Sequence, residues 1–591
     1  MRIVGALLLA SVLSAAQTSS APAGADSTSA RASHSVEQLA NRYFDEYYFP
    51  FNPTAGTSAG FHQYDTKLED YSAGGVKKQI SLLKDFKQRF ERLDVAGADY
   101  ATVADRDLVL ADINSRLLEL ENIRGWEKNP DVYSSGITGS AFVIMARNFA
   151  PPEQRLRSLI AREKQMPAAL RAARQNLKDP PQIYTEVALE QLPGNVSFFK
   201  NDVPAAFRSV TDARLRAEFD KSNAAVIAAL NDYGKWMKSD LLPRSHGDFR
   251  IGADNFRKKL LYNEMVDIDL DRLYDIGMQD LRQNQQRFQE TAKLIDANKK
   301  PADILKELET DHPAPDKLLS TFRNTLSGLV TFINQKNIVT IPSKVPPIVE
   351  ETLPFMRALT FASMDTPGPY ESHATEAFFN VTLPEATWTK QQIDEHMAAF
   401  NRGTVVSTAI HEVYPGHYTQ FLWVKQAPSK VRKLLGCSSN AEGWAHYTEQ
   451  MMLDEGYGSA SGEPSTTDKK YLMLRLGQLQ DALLRNARYI VGLQMHRGKM
   501  SFDEGVAFFQ NEGYQEHENA LRETKRGTSD PTYMYYTLGK LEILKLRDDY
   551  RKKVGDQNFS LEQFHNAFLK QGFPPIKIIR RILLGDDSPT L

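Results

Sequence analysis

Residues 75–93 read GVKKQISLLKDFKQRFERL, and in them Ile80, Leu83, Phe86, Phe90 and Leu93 recur at spacings of three or four. Side chains three or four apart share a face of an α-helix, so the spacing predicts a helix with one apolar stripe and Lys, Arg, Asp and Glu opposite. The same rhythm recurs in 36–48, 100–123, 153–177, 203–237, 270–294, 316–333, 468–495, 533–551 and 561–570. Strand signals are few: 338–341, and 377–382, an apolar and β-branched run before Pro384. The expected fold is therefore mainly α with one small β-sheet. Between them, Pro342, Pro346, Pro347, Pro354, Pro367 and Pro369 interrupt the helical rhythm. That interruption divides the chain into a helical N-terminal lobe, 35–340, and a C-terminal lobe, 341–591, that carries the chemistry.

Composition narrows the function. The 591 residues hold 72 Lys and Arg against 74 Asp and Glu, a formal charge of −2, so no global field attracts nucleic acid or an anionic membrane. The single cysteine, Cys437, cannot form an intrachain disulfide. Residues 1–16, MRIVGALLLASVLSAA, combine Arg2, an apolar run and the small residues Ser14, Ala15 and Ala16. This is the layout of a secretory signal peptide, and the apolar run is too short for a membrane anchor, which needs roughly 20 apolar residues. Residues 17–34, rich in Ser, Thr, Ala and Gly, read as a disordered spacer. The expectation is an exported protein, periplasmic or secreted, without a membrane anchor.

The chemistry is concentrated in HEVYPGH, His411 to His417. Two histidines with a glutamate directly after the first are the parts of a zinc hydrolase: imidazoles hold the metal and Glu412 handles the proton of a metal-activated water. In an unbroken helix, six steps of ~100° would turn His417 about 120° away from His411. Pro415 and Gly416 supply a break, since proline removes an N–H and pushes Tyr414 off helical angles while glycine accepts unusual conformations. A local widening there would swing His417 back. Zinc in a hydrolytic site takes a third protein ligand, and NAEGWAHYTE, 440–449, offers Glu442. His446 and Glu449 fall on the same helix face, as alternative ligands or as partners that orient a ligand. Two imidazoles and one carboxylate suit a single Zn²⁺ best among common metals.

HEVYPGH followed by EGWAHYTE resembles the signature of the family named domain of unknown function 885, with its HExYPGH and EGWxxYxE motifs. The likeness extends to 247–260 (GDFRIGADNFRKKL), to Phe379-Asn380-Val381, to Arg402-Gly403-Thr404 and to Tyr536-Thr537-Leu538-Gly539. It implies a gluzincin-like zinc metallopeptidase whose two helical lobes enclose a deep channel, with His411, His417 and Glu442 as ligands and Glu412 as catalytic carboxylate. His446 stands where that pattern usually has an apolar residue. By analogy with how such sites are built, Tyr536 or His496 would stabilise the oxyanion, and Arg526 would hold a substrate carboxylate. The expected activity is hydrolysis of a peptide substrate. Two alternatives are a metal-dependent amidohydrolase acting on another amide and a non-catalytic metal-containing binding protein.

Overall fold

A computed structural model describes residues 23–352, 357 and 360–591, so the predicted signal peptide and the start of the spacer lie outside the described residues. Among the described residues the fold is mainly α, with one three-stranded sheet. The stretch that predicts it forms the helix Ala73–Glu91: Ser72 caps its N-terminus by accepting from the Gly75 N–H, and Leu83, Phe86 and Phe90 are buried. Phe86 meets the ring of Tyr43 edge-on at 5.4 Å.

Several boundaries differ from the sequence expectation for identifiable reasons. The spacer at 17–34 gives way at Ala23 to a helix, Ala23–Tyr43. Its buried Ala32, Val36 and Ala40 fall four apart, extending the apolar stripe back into a segment whose composition resembles a linker. The predicted helix 153–177 is two, Pro152–Glu163 and Met166–Asn176. Pro167, in the first turn of the second, cannot sit inside a continuous helix because it lacks an N–H and its ring clashes with a preceding carbonyl. The run 203–237 is likewise divided, and Asp212 restarts it by accepting from the N–H groups of Arg214 and Leu215. Residues 338–341 form no strand. Their backbone is satisfied by side chains instead: His565 Nδ1 lies 2.7 Å from the Ile338 carbonyl, and Trp423 donates to that of Thr340.

The Pro-rich passage contains the sheet. Strand β1 (Ile348–Glu351) pairs parallel with β3 (Phe378–Val381), and β2 (Ala362–Asp365) pairs antiparallel with the other side of β3. Strand β2 is therefore an edge. Between β2 and β3 the chain crosses to the N-terminal half, where Arg147 pairs with Asp365 at 2.8 Å and His62 with Glu371 at 3.0 Å. The cores group the helices by space: Leu318–Lys336 packs into the large core beneath the motif, with Val405, Ala409, Ile410 and Trp444, while residues of Gly252–Glu264 and Leu270–Ile295 pack against Lys469–His496. Among the described residues no helix is long and apolar enough to cross a membrane.

Ser438–Asp454 crosses Tyr535–Val554 at its closest point through two glycines. A Cβ on Gly443 would lie 2.5 Å from the Gly539 Cα, and one on Gly539 1.8 Å from the Ser439 carbonyl oxygen. Both helices would have to part to admit a methyl group. Gly539→Ala is expected to destabilise the protein by about 1–3 kcal/mol, the usual cost of overpacking, read as a lower Tm. A second prediction concerns His62, whose Nδ1 lies 3.2 Å from Asp65. The hydrogen bond to Asp65 raises its pKa, outweighing partial burial, with Glu371 adding to the effect. A raised pKa means that the tether contributes fully below the unfolded value of about 6.5 and fades as pH climbs through the folded value. His62→Gln should lower Tm at about pH 6 and change it little at about pH 9, checked by thermal unfolding at both.

Candidate metal centre

The helix that carries the first ligand, Arg402–Glu412, is capped by Asn401, whose side chain accepts from the Thr404 N–H. Val405, Ala409 and Ile410 bury its inner face. Instead of widening, the helix stops at Glu412, and a new one, His417–Val424, begins on the second ligand. In the four-residue break the Gly416 N–H reaches back to the Ile410 carbonyl at 3.0 Å. Glycine is required there for close approach, since a Cβ would lie 1.9 Å from the His411 carbonyl oxygen. The two imidazoles end 4.8 Å apart between ring centres, nearly perpendicular.

Glu442 arrives from Ser438–Asp454. The two motifs are joined directly: the Trp444 indole N–H donates to the Pro415 carbonyl at 2.9 Å, and Gln420 donates to the Asn440 side chain at 2.9 Å. Trp444 is fully buried and stacks on Phe568. At the helix N-terminus the Glu264 carboxylate accepts from the Ser439 N–H at 3.0 Å. Glu442 Oε2 consequently lies 3.3 Å from His411 Nε2 and 3.5 Å from His417 Nε2.

Both Glu442 separations fit a shared ion. Three donors placed tetrahedrally about 2.1 Å from one centre stand about 3.4 Å apart. Glu442 Oε2 has no hydrogen-bond partner although it is buried, and His417 Nδ1 is likewise unpaired. The electrostatics make the same demand. Burial opposes ionisation of Glu442, yet the two histidines hold it well below the usual carboxylate range. Burial likewise disfavours a charged His411, yet carboxylates at both ring nitrogens raise it to about 10. The cluster draws positive charge, as protons or as a cation. Among the described residues His411, His417 and Glu442 are the group whose ligand atoms all lie within 4.8 Å of one another.

Glu449 is not a member of the trio. Its Oε1 lies 2.6 Å from His411 Nδ1, so that nitrogen carries the proton and Nε2 faces Glu442. Arg485 donates to the same carboxylate at 3.0 Å, and His446 Nδ1 lies 3.2 Å from its other oxygen. Glu449 stays ionised despite complete burial, chiefly because of Arg485. Burial pushes His446 down to about 3, so it is a neutral donor. His446 thus supports Glu449 and not Glu442.

The other sequence candidates sit in contacts of their own. Tyr536 is buried, and the guanidinium groups of Arg485 and Arg488 lie 5.5 and 5.1 Å from its ring centre. Arg526 donates to the Tyr535 hydroxyl at 3.1 Å and pairs with Asp530. His496 is locked between the Gly527 carbonyl and the Ile251 N–H. None of the three lines the 560 Å³ cavity that opens onto Glu412, His417 and Glu442. One wall of that cavity comes from the N-terminal half, through Leu108, Asp112, Ser115 and Tyr262; the other includes Phe421, Lys433 and Phe573. Sequence reasoning missed Arg485, which lies in a long helix without any motif around it, and the Met364 N–H on edge strand β2, which donates to Glu412 Oε2 at 3.1 Å.

A search of curated proteins returns no match. Among solved structures, a candidate lipoprotein of unknown function from Shewanella oneidensis is 28% identical, with a TM-score of 0.76 over 93% of this chain and 99% of that one. A candidate lipoprotein from Colwellia psychrerythraea, 17% identical, superposes with a TM-score of 0.77 over 93% of this chain and 98% of its own, which shows a shared fold. The model of the family described as "Bacterial protein of unknown function (DUF885)" matches residues 53–583, nearly the whole chain, and the protein belongs to that family.

Proposed function

We propose that the protein is a zinc-dependent peptidase of the gluzincin kind, in which Glu412 is the general base. One observation carries the reading: three donors whose ligand atoms lie within 4.8 Å of one another converge beside a cavity whose wall also presents a carboxylate that does not belong to the donor set. A purely structural zinc site has no need of that fourth group. Zn²⁺ held by His411, His417 and Glu442 would supply Lewis acidity, lowering the pKa of water toward ~7 and polarising a carbonyl.

The remaining work falls to the chain. Glu412 takes the proton of the attacking water and passes it to the leaving amine. Its Oε2 is steered by the Met364 N–H, which leaves Oε1 for the water. The outer edge of β2 offers main-chain groups to an extended peptide beside Glu412. Glu449 and Arg485 keep the His411 ring in the tautomer and orientation that a ligand needs. The signal-like layout of residues 1–16 supports export, as does the lipoprotein description of the Shewanella relative. Cys437, the one cysteine of the sequence, is buried at the start of the Glu442 helix, and the proposed location is periplasmic or secreted.

Glu412→Gln keeps size and hydrogen bonding but removes the base. Peptide hydrolysis by the zinc-loaded variant should fall about 10²–10⁴-fold while metal content, measured by atomic absorption, stays at one ion per chain. Near wild-type hydrolysis with metal bound would refute the mechanism. His411→Ala should lose the metal itself. Glu449→Gln should bind zinc about 10- to 100-fold more weakly in a competitive chelator titration, although Glu449 is not a ligand.

A further inference from the structure

The cavity wall carries a cation for which the hydrolytic reading has no use. Lys433, half-buried at the end of the short helix Lys430–Leu434, lines the cavity together with Glu412, His417 and Glu442. Its neighbours on that helix are paired, Lys430 with Asp45 at 3.5 Å and Arg432 with Asp105 at 2.8 Å. Among the described residues no carboxylate reaches Lys433; its Nζ lies 5.8 Å from the centre of the Tyr370 ring.

Apart from Glu412, the acidic groups on the same cavity wall are already engaged. Asp112 accepts from Tyr43 and from Arg116, the latter at 2.9 Å, and Glu264 accepts from the Ser439 N–H. Glu442 belongs to the donor trio. An ammonium group in a partly enclosed site gives up hydration, and a bound anion would restore the lost interaction. Leu434, Leu435, Phe421 and Phe573 give that wall its apolar surface. A short peptide carries the matching features: a scissile amide, an apolar or small side chain, and a terminal carboxylate. Arg526, the sequence candidate for that carboxylate, is engaged by Asp530 and Tyr535 and lies outside the cavity wall.

We propose that Lys433 binds the C-terminal carboxylate of the substrate, so that the enzyme acts at the carboxyl end of short peptides. This rests on the peptidase reading above, and the test separates the two. Zinc-loaded wild-type protein is given random tripeptide mixtures with either a free C-terminal carboxylate or a C-terminal carboxamide, and initial rates are read by mass spectrometry. The acids should be cut about tenfold or more faster than the amides. Lys433→Met should bring the acid rate down to the amide rate and leave the amide rate unchanged, which also reports that the variant is folded; Lys433→Arg should keep the preference. Equilibrium dialysis of the metal-free protein against the same mixtures should retain acids over amides, and Lys433→Met should abolish the difference. Equal rates on acids and amides, equal retention of the two, or an equal loss of both activities in Lys433→Met would overturn the role of Lys433 while leaving the peptidase reading standing. If neither mixture is cut, both fall.

Discussion

The geometry of the site depends on one close approach, that of the Gly416 backbone to the last carbonyls of the His411 helix. With a Cβ at 416 placed 1.9 Å from the His411 oxygen, any other residue would force the second helix outward and carry His417 with it. The break alone would leave two short helices free to hinge. What holds them is the Trp444 indole bonded to the Pro415 carbonyl, because Trp444 belongs to the helix that presents Glu442. The hydrogen bond that fixes the break therefore also sets the distance of the third donor. The Gly443–Gly539 crossing completes the arrangement by letting the Glu442 helix sink against Tyr535–Val554 far enough for Trp444 to be fully buried.

Beneath the donors the packing is unusually polar. Glu449 is buried with Arg485, His411 and His446 around it, and Asp280 is buried with Lys540, Asn284 and Asn486. Buried ions of this sort add little net stability, but removing one partner leaves a charge whose desolvation costs several kcal/mol. Five helices meet here: Leu270–Ile295, Arg402–Glu412, Ser438–Asp454, Lys469–His496 and Tyr535–Val554. A slip of one turn in any of them would separate these pairs, so the charges fix a register that an all-Leu interface would leave loose.

The helical periodicity and the residues of the His411, His417 and Glu442 cluster were legible because the signals are local. Stripes at three and four, and HEVYPGH with EGW downstream, need only a few neighbouring residues to be recognised. The course of the chain between the histidines was half legible: Pro415 announces a break, but whether a helix widens or restarts depends on the Gly416 contact with Ile410 and His411, set by tertiary packing. Strands β1 and β2 were not read because each is four residues long and its partner, β3, lies elsewhere in the chain. Arg485 was invisible for a similar reason, since its significance comes only from Glu449, which lies on another helix. Position 338–341 misled because burial of Ile338 and Val339 looks the same in sequence whether the backbone pairs with a strand or with His565 and Trp423.

The N-terminal half contributes no donor, yet the site is incomplete without it. Leu108, Asp112, Ser115 and Tyr262 close one side of the cavity, and the link between β2 and β3 is pinned to that half through Arg147 and His62. The strand edge beside Glu412 is thus held from outside its own sheet. A volume of 560 Å³ lies within the range of small-ligand sites, about 300–1,000 Å³, which admits a few residues and excludes a folded protein. On the peptidase reading proposed above, metal and carboxylate alone would attack any amide that reached them. On that reading the helical wall would select which amides do, with substrate length set by residues far from the motif in sequence and the chemistry by residues within it.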